Sequence, residues 1–569
     1  MPGRTGSVPA ERTNKKEEFV KTTSAQVGES PVTQISAGHL IVKQLESLGV
    51  PRVYCVPGES YLDTLDGLYD SSIRTVVCRQ EGGAGLMALT EGRLTGLPGV
   101  AMVTRGPGAA NAMIAVHTAW QDATPMLLFV GLVPTHQRDR EAFQEFSLQG
   151  WFGTTAKKVF VLDTPEQAAK IVAEAAHLAV SGRPGPVVIG LPEEVLRHNV
   201  PFVVEKPRAL PVGDAGAHSH AAVVQYLNEA QRPLIIAGGE GWKASSAEAL
   251  AAWAEAKSIP VATDFRAYDV IDNSSPAFVG MLGYGRDKNL SGYVDRADLI
   301  IYLGALHTDV LSDGYSIGNG ARTVVVSADP GVRAHSGTID LQVLASPARF
   351  VEDAVEIAGT RRNDIDGWMA AGHSAWQTYS TALEDGGIGV DLSQVMATLH
   401  RMLPRDAVVT YGAGNHAIWP QRFLASHQYP SVVAPKNGAM GVGIPAAVAA
   451  SLVFPERQVI SVAGDGCFLM NGQELATAVA ERTRLIVLVV DNSCYGTIVQ
   501  HQERDYPGRP SGTSLENPDF ATLARAYGAF GVQVKDAADF AEAFAQALEF
   551  DGPAVLHLIT DSTTRGPAV

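Results

Sequence analysis

The chain has 569 residues, 46% hydrophobic and 18% charged, enough to bury several cores and fill three domains. A formal net charge of −16 argues against nucleic acid or an anionic membrane surface as the main partner. The four cysteines, Cys55, Cys78, Cys467 and Cys494, make no CxxC and no metal-ligand spacing, so buried free thiols in a reducing cytoplasm are expected.

Residues 1–32 are polar, mixed in charge and without a signal-peptide core, and are expected to form a disordered tail. Ser36 is placed to cap a helix whose Leu40, Ile41, Leu45 and Leu48 share one face, and Gly49 ends it. Strand-like runs at 53–56, 73–78, 100–104, 126–130 and 187–190 alternate with helical stretches, which predicts a covered parallel sheet over 33–200. A Pro-, Gly- and Ala-rich linker over 201–216 leads to a second domain, 217–358, with strands at 234–237, 260–262, 299–303 and 323–327. A polar stretch, 359–389, bridges to a third domain, 390–561, with strands at 407–410, 459–463, 485–490 and 554–558. The expected fold class is three doubly wound α/β domains in series, with no repeat visible between them. No apolar run reaches the length of a membrane span.

Chemistry concentrates at strand ends. Gly464-Asp465-Gly466 ends the apolar run Val459-Ile460-Ser461-Val462-Ala463, and Asp491-Asn492 follows one helix and one strand later. That spacing sets Asp465 and Asn492 side by side, two hard oxygen donors suited to Mg²⁺ with phosphate oxygens in its other positions. A lone Gly-Asp-Gly would be only a turn, in which Gly466 lets the chain bend and an anion approach. Glu81, in Arg79-Gln80-Glu81-Gly82-Gly83, stands at a strand end before a helix, as a capping acid or as a functional one. Tyr411-Gly412-Ala413-Gly414-Asn415-His416 is either a satisfied turn or a set of donors for phosphate oxygens.

The Asp465 motif, 25 residues and then Asn492 together resemble the cofactor motif of thiamine diphosphate enzymes, whose pyrimidine-binding, central and diphosphate-binding domains match the three segments. Glu91-Gly92 and the run from Val103-Thr104 through Arg105-Gly106-Pro107-Gly108 to Asn111 narrow the resemblance to the acetolactate synthase-like group. The resemblance implies Mg²⁺ ligands at Asp465, Asn492 and the main-chain carbonyl of Cys494, within a cofactor site that includes Gly464, Gly466, Tyr495 and Gly496. It makes Glu81 the carboxylate that activates the cofactor through its pyrimidine ring, with Thr104 and Asn111 nearby. Gly412, Gly414, Asn415 and His416 become the diphosphate loop. Met440 becomes the wedge between the two cofactor rings, and the Gly438 carbonyl accepts from the 4′-amino group. Pro57 and Gly58 fall in a loop near the substrate, and Phe143 and Gln144 face the reacting centre. Glu81 and Asp465 lie on different domains, so the family's arrangement pairs them across subunits, giving a homodimer or homotetramer.

Three departures stand out. His501 occupies the position of a Trp that selects the second 2-oxo acid in acetolactate synthases, and is expected at the active site as a donor or proton shuttle, the alternative being a solvated loop histidine. Glu193 replaces a Lys near the site's entrance. The stretch Leu303-Gly304-Ala305-Leu306-His307-Thr308-Asp309 lacks the two arginines with which the family holds FAD. Gly238-Gly239-Glu240-Gly241 and Asp329 are weak nucleotide signals, so FAD is possible but not favoured.

The reading is a cytoplasmic, Mg²⁺- and thiamine diphosphate-dependent lyase or carboligase that decarboxylates a pyruvate-like 2-oxo acid and ligates or releases the aldehyde unit. Glu81, Gln144 and His501 are its catalytic candidates. The alternatives are a 2-hydroxyacyl-CoA or oxalyl-CoA lyase, a hydroxyketone lyase, and an inactive thiamine-binding regulatory homologue. The early end at Val569 is expected to disfavour the acyl-CoA lyases, which carry a longer C-terminal lid.

Overall fold

Alternating apolar strands and helices give three six-stranded parallel sheets in the computed structural model, which describes residues 33–209, 213–239, 241–332, 338–356, 364–383, 389–563 and 565–567. The tail expected over 1–32, Glu240 of the glycine-rich turn and part of the polar bridge (357–363 and 384–388) lie outside the described residues. In spatial order the first sheet is Arg74–Val77, Arg52–Cys55, Gly99–Val103, Met126–Leu132, Pro186–Pro192 and Lys158–Val161. The third is Val432–Val433, Val408–Tyr411, Val459–Gly464, Ile486–Asp491, Ala554–Ile559 and Phe530–Val534. Numbered along the chain, both run 2-1-3-4-6-5, a shared plan that no alignment by eye reveals. The central sheet, Phe278–Leu282, Val261–Asp264, Pro233–Ala237, Leu299–Leu303, Arg322–Ser327 and Leu341–Leu344, runs 3-2-1-4-5-6.

Five of these strands are absent from the sequence reading: Lys158–Val161, Phe278–Leu282, Leu341–Leu344, Val432–Val433 and Phe530–Val534, and all five are edges of their sheets. Lys158–Val161, Leu341–Leu344 and Phe530–Val534 are incompletely covered, so their apolar runs are broken, whereas Phe278–Leu282 and Val432–Val433 are buried throughout. The bridge also carries a helix, Trp368–Thr381, that packs on the central domain. Its Trp368 Nε1 donates to the Pro233 carbonyl at 2.9 Å, and Trp376 meets Phe278 edge-on at 5.1 Å.

Within one chain the outer domains share a core. The buried helix Glu81–Thr95 lies against the mostly apolar Gly443–Val453. Small residues permit the close packing; a Cβ on Gly83 would fall 2.5 Å from Glu474 Oε1 of the third domain. Polar contacts tie the same junction. Glu474 accepts from the Arg79 and Gln80 amides, and Arg93 pairs with the buried Asp269 of the central domain at 2.8 Å. Ser36 caps its helix as expected, accepting from His39 N at 3.2 Å, and all four cysteines are free and buried.

Candidate active site

The third sheet ends in a cleft of about 230 Å³ built from the turns after its central strands. Parallel strands point their carboxyl ends one way, so Val408–Tyr411 delivers Gly414, Asn415 and His416, Val459–Gly464 delivers Asp465, and Ile486–Asp491 delivers Asn492 and Cys494. Gly438, Met440, Gly464, Gly466, Tyr495 and Gly496 complete the predicted set on its walls. Gly412 stands behind it, where a Cβ would meet Cys467 Sγ at 2.5 Å.

The reason for Gly466 differs from the expected tight turn. Gly464 is an extended N-cap, Asp465 and Gly466 open the helix Asp465–Asn471, and a Cβ on Gly466 would strike the Tyr495 ring at 2.6 Å. Asp465 Oδ1 accepts from Gly466 N at 2.8 Å and Oδ2 from Asn517 Nδ2 at 2.8 Å. The same Asn517 nitrogen donates to Asp491 Oδ1 at 2.8 Å, and His557 Nε2 meets Asp491 Oδ2 at 2.8 Å. Burial raises Asp465 to about 6 against the bonds from Gly466 and Asn517. Burial also pushes Asp491 up, but the bonds from His557, Asn517 and Ser493 outweigh it and hold that carboxyl low. Sequence reasoning missed Asn517 and His557, which lie far along the chain and in no motif.

The donors fit a magnesium diphosphate. One carboxylate, one amide and one main-chain carbonyl leave coordination positions for phosphate oxygens, and no cluster of three or more His, Cys, Asp or Glu suited to a metal occurs among the described residues. His416 Nε2 is buried without a hydrogen-bond partner, an orphan that a ligand could satisfy. Burial first, and the nearby Arg266 charge second, push His416 down to about 3, so the ring is neutral. Gly414 has φ +133° and Gly438 φ +71°, conformations that favour glycine where the backbone must turn toward the cleft.

The first sheet assembles the other predicted group. Glu81 opens its helix behind the N-cap Gln80, and its Oε2 accepts from Asn111 Nδ2 at 2.8 Å. A Cβ on Gly108 would lie 3.3 Å from Glu81 Oε1. Gly58, next to Pro57, packs so closely on Thr104 that a Cβ would sit 2.5 Å from the Thr104 Cβ. Gln144, at φ +65°, accepts through its carbonyl from Gly106 N at 3.2 Å. Glu193 does not leave an unbalanced negative charge at the entrance. It pairs with the buried Arg105 and, at 2.7 Å, with Arg197.

None of these first-domain residues lines the cleft of the third domain. One chain therefore carries two separate half-sites. Large apolar side chains lie exposed beside both: Phe143 next to Gln144, Ile114 next to Asn111, Leu469 and Met470 after Asp465, and Ile498 on the cleft wall. His501 is exposed on the helix Gly496–Asp505, and Thr497 and Ile498 of that helix reach the cleft instead.

The central domain has the strand order of dinucleotide folds, with the switch point between Pro233–Ala237 and Leu299–Leu303. Protein closes that crevice. A Cβ on Gly239 would lie 2.1 Å from the Gly304 carbonyl, and the buried Trp242 donates Nε1 to the Gly238 carbonyl at 2.9 Å. Asp329 spends an oxygen on Gly331 N at 2.8 Å. These contacts give no indication of an FAD site, which is possible but not favoured.

Three family models match the chain in order. They are "Thiamine pyrophosphate enzyme, N-terminal TPP binding domain" over residues 35–151, "central domain" over 220–354 and "C-terminal TPP binding domain" over 412–558. The acetolactate synthase large subunit of Corynebacterium glutamicum is 30% identical, over 94% of this chain and 89% of its own length. The large subunit of Parasynechococcus marenigrum is also 30% identical, over 92% and 87%. Acetolactate synthase isozyme 2 large subunit of Escherichia coli is 29% identical, over 92% and 95%. Among the described residues no helix is long and apolar enough to cross a membrane.

Proposed function

Because this chain belongs to the thiamine pyrophosphate enzyme family, as an enzyme of the acetolactate synthase type, we propose that it decarboxylates a pyruvate-like 2-oxo acid and ligates the two-carbon unit to a second carbonyl. The observation that carries the reading is the convergence of Asp465, Asn492 and Cys494 on one cleft at the strand ends. Bound thiamine diphosphate supplies a nucleophilic carbon and an electron sink for the loss of CO₂.

The protein's own groups supply the rest. Asp465, Asn492 and the Cys494 carbonyl would hold Mg²⁺, and Gly414, Asn415 and His416 the diphosphate. Neutral His416 can offer a donor to a phosphate oxygen. Glu81 holds a proton against the pyrimidine nitrogen, and Asn111, donating to the other carboxylate oxygen, fixes its orientation. Since the half-sites do not meet within one chain, Glu81 of one copy serves the cleft of another. The exposed apolar side chains beside both halves support that pairing, in a homodimer or a homotetramer. Gln144 is assigned to the substrate; His501, exposed outside the cleft of its own chain, is not.

The test is CO₂ release from a panel of 2-oxo acids with Mg²⁺ and thiamine diphosphate, with products identified by mass. A 2-hydroxyketone product is expected. Glu81→Gln should cut the rate by roughly 100-fold or more while cofactor affinity changes little. Co-expression of Glu81→Gln with Asp465→Asn should restore activity, because a mixed dimer carries one intact site. Retention of full activity by Glu81→Gln alone would refute the assignment.

A further inference from the structure

Beyond the strand Ala554–Ile559, the described residues 560–563 and 565–567 return toward the cleft. Thr560 donates through N and Oγ1 to the Asp491 carbonyl, both at 2.8 Å. Cys494 Sγ approaches the Ser562 carbonyl at 3.7 Å, and Trp419 Nε1 donates to the Arg565 carbonyl at 3.2 Å. Gly566 lies against Ile418 and the Asn415 carbonyl, where a Cβ would come to 2.9 Å and 3.8 Å. These contacts tie the tail to the diphosphate loop on one side and the metal-ligand turn on the other. Between them the Arg565 side chain forms part of the cleft wall.

Charge makes that position informative. Among the described residues lining the cleft, Arg565 is the only Lys or Arg, and the lining histidine, His416, is held neutral. A magnesium diphosphate brings phosphate oxygens and their negative charge into the cleft. Arg565 has one nitrogen turned to the Ser562 carbonyl and another 3.4 Å from Glu503, an exposed and screened partner. The planar fork of a guanidinium suits phosphate oxygens, and a competing contact of that length gives way to a charge-assisted bond.

We propose that Arg565 is a cofactor-holding residue, whose guanidinium donates to the diphosphate of thiamine diphosphate. This rests on that cofactor being the group bound there. The test is the dissociation constant of thiamine diphosphate with Mg²⁺ on the full chain, read by quenching of Trp419 at the cleft wall and by calorimetry. Arg565→Gln is expected to weaken binding by roughly 10–100-fold and Arg565→Lys by less. Binding of thiamine, which has no phosphate, should be unaltered by either, and Glu503→Gln should match or tighten the native value. Arg565→Gln binding within twofold of native would overturn the proposal. So would a raised KM for the 2-oxo acid at unchanged cofactor affinity, which would make Arg565 a reader of the substrate carboxylate. If Arg565→Gln does not fold, affinity within twofold of native in Arg565→Lys refutes it. Failure of the native protein to bind thiamine diphosphate sinks the cofactor reading itself, an outcome distinct from loss in the variant alone.

Discussion

Glu474 allows a quantitative test of how this chain positions its activating acid. Its carboxylate, fully buried, comes from the third domain and supports the first-domain loop that opens the Glu81 helix. Oε1 accepts from Arg79 N at 3.1 Å and Gln80 N at 3.0 Å, and Oε2 from Arg79 N at 3.2 Å and Thr477 Oγ1 at 2.6 Å. Burial raises its pKa despite those bonds. In Glu474→Gln the amide oxygen can keep both backbone donors while the amide nitrogen donates to Thr477, so the cost should stay below about 1 kcal/mol. Glu474→Ala removes the acceptor of two part-buried N–H groups, at about 1–2 kcal/mol each, or about 2–4 kcal/mol together. A central value of about 3 kcal/mol lowers protection of the loop by roughly 100-fold, at about 1.4 kcal/mol per tenfold. Hydrogen exchange by mass spectrometry on a peptide spanning residues 79–84 reads this directly, with the buried strand Gly99–Val103 as internal reference. Native-like exchange over 79–84 in Glu474→Ala would refute the reasoning, as would equal losses in the two variants.

Three further outcomes are expected. Removal of Mg²⁺ by chelation, or Asp465→Asn, should weaken thiamine diphosphate binding by roughly 10-fold or more, measured by calorimetry; metal-independent binding would contradict the ligand assignment. Glu91 accepts two bonds from Arg52, at 3.0 and 3.1 Å, and one from Tyr54 OH at 2.7 Å, so Glu91→Ala leaves an uncompensated, largely buried cation. A loss of about 3–5 kcal/mol in denaturant unfolding is expected, and a loss below about 1 kcal/mol would show the pair to be dispensable. Burial, only partly offset by Lys436, raises Asp122 from 3.8 to about 7. The folded state then binds the extra proton, so this group's stabilisation is complete below about pH 4 and is lost as pH rises toward 7. Asp122→Asn stays neutral and can still accept from Lys436 N, so its melting temperature should vary less than native between pH 4.5 and 7; parallel curves would dismiss the effect.

Much of the cleft was legible because its residues sit in short motifs directly after apolar strands. Gly464-Asp465-Gly466, Asn492 and the Gly412–Gly414 turn are each read from an adjacent run that could only be a buried parallel strand. The partners that hold them were not legible. Asn517 reaches Asp465 from 52 residues away and Glu474 reaches Gln80 across 394, separations at which no local pattern exists. Gly466 was recognised for the wrong reason, since its lack of a side chain serves the Tyr495 ring rather than a turn.

What the sequence determined was local. Runs apolar on both faces could only be interior strands, and the turns after them could only open at one end of each sheet, because parallel strands share a direction. The edges were decided by tertiary structure: Leu341–Leu344, only one of its four residues buried, carries no apolar run strong enough to declare itself. Tertiary structure also decided which chemistry meets. It placed Arg565 of the tail on the cleft, turned Glu193 toward Arg105, and set Glu81 and Asp465 on separate half-sites of one chain. Those outcomes depend on packing between segments hundreds of residues apart, where the free energy lies in the fit of surfaces rather than in the preference of any one stretch.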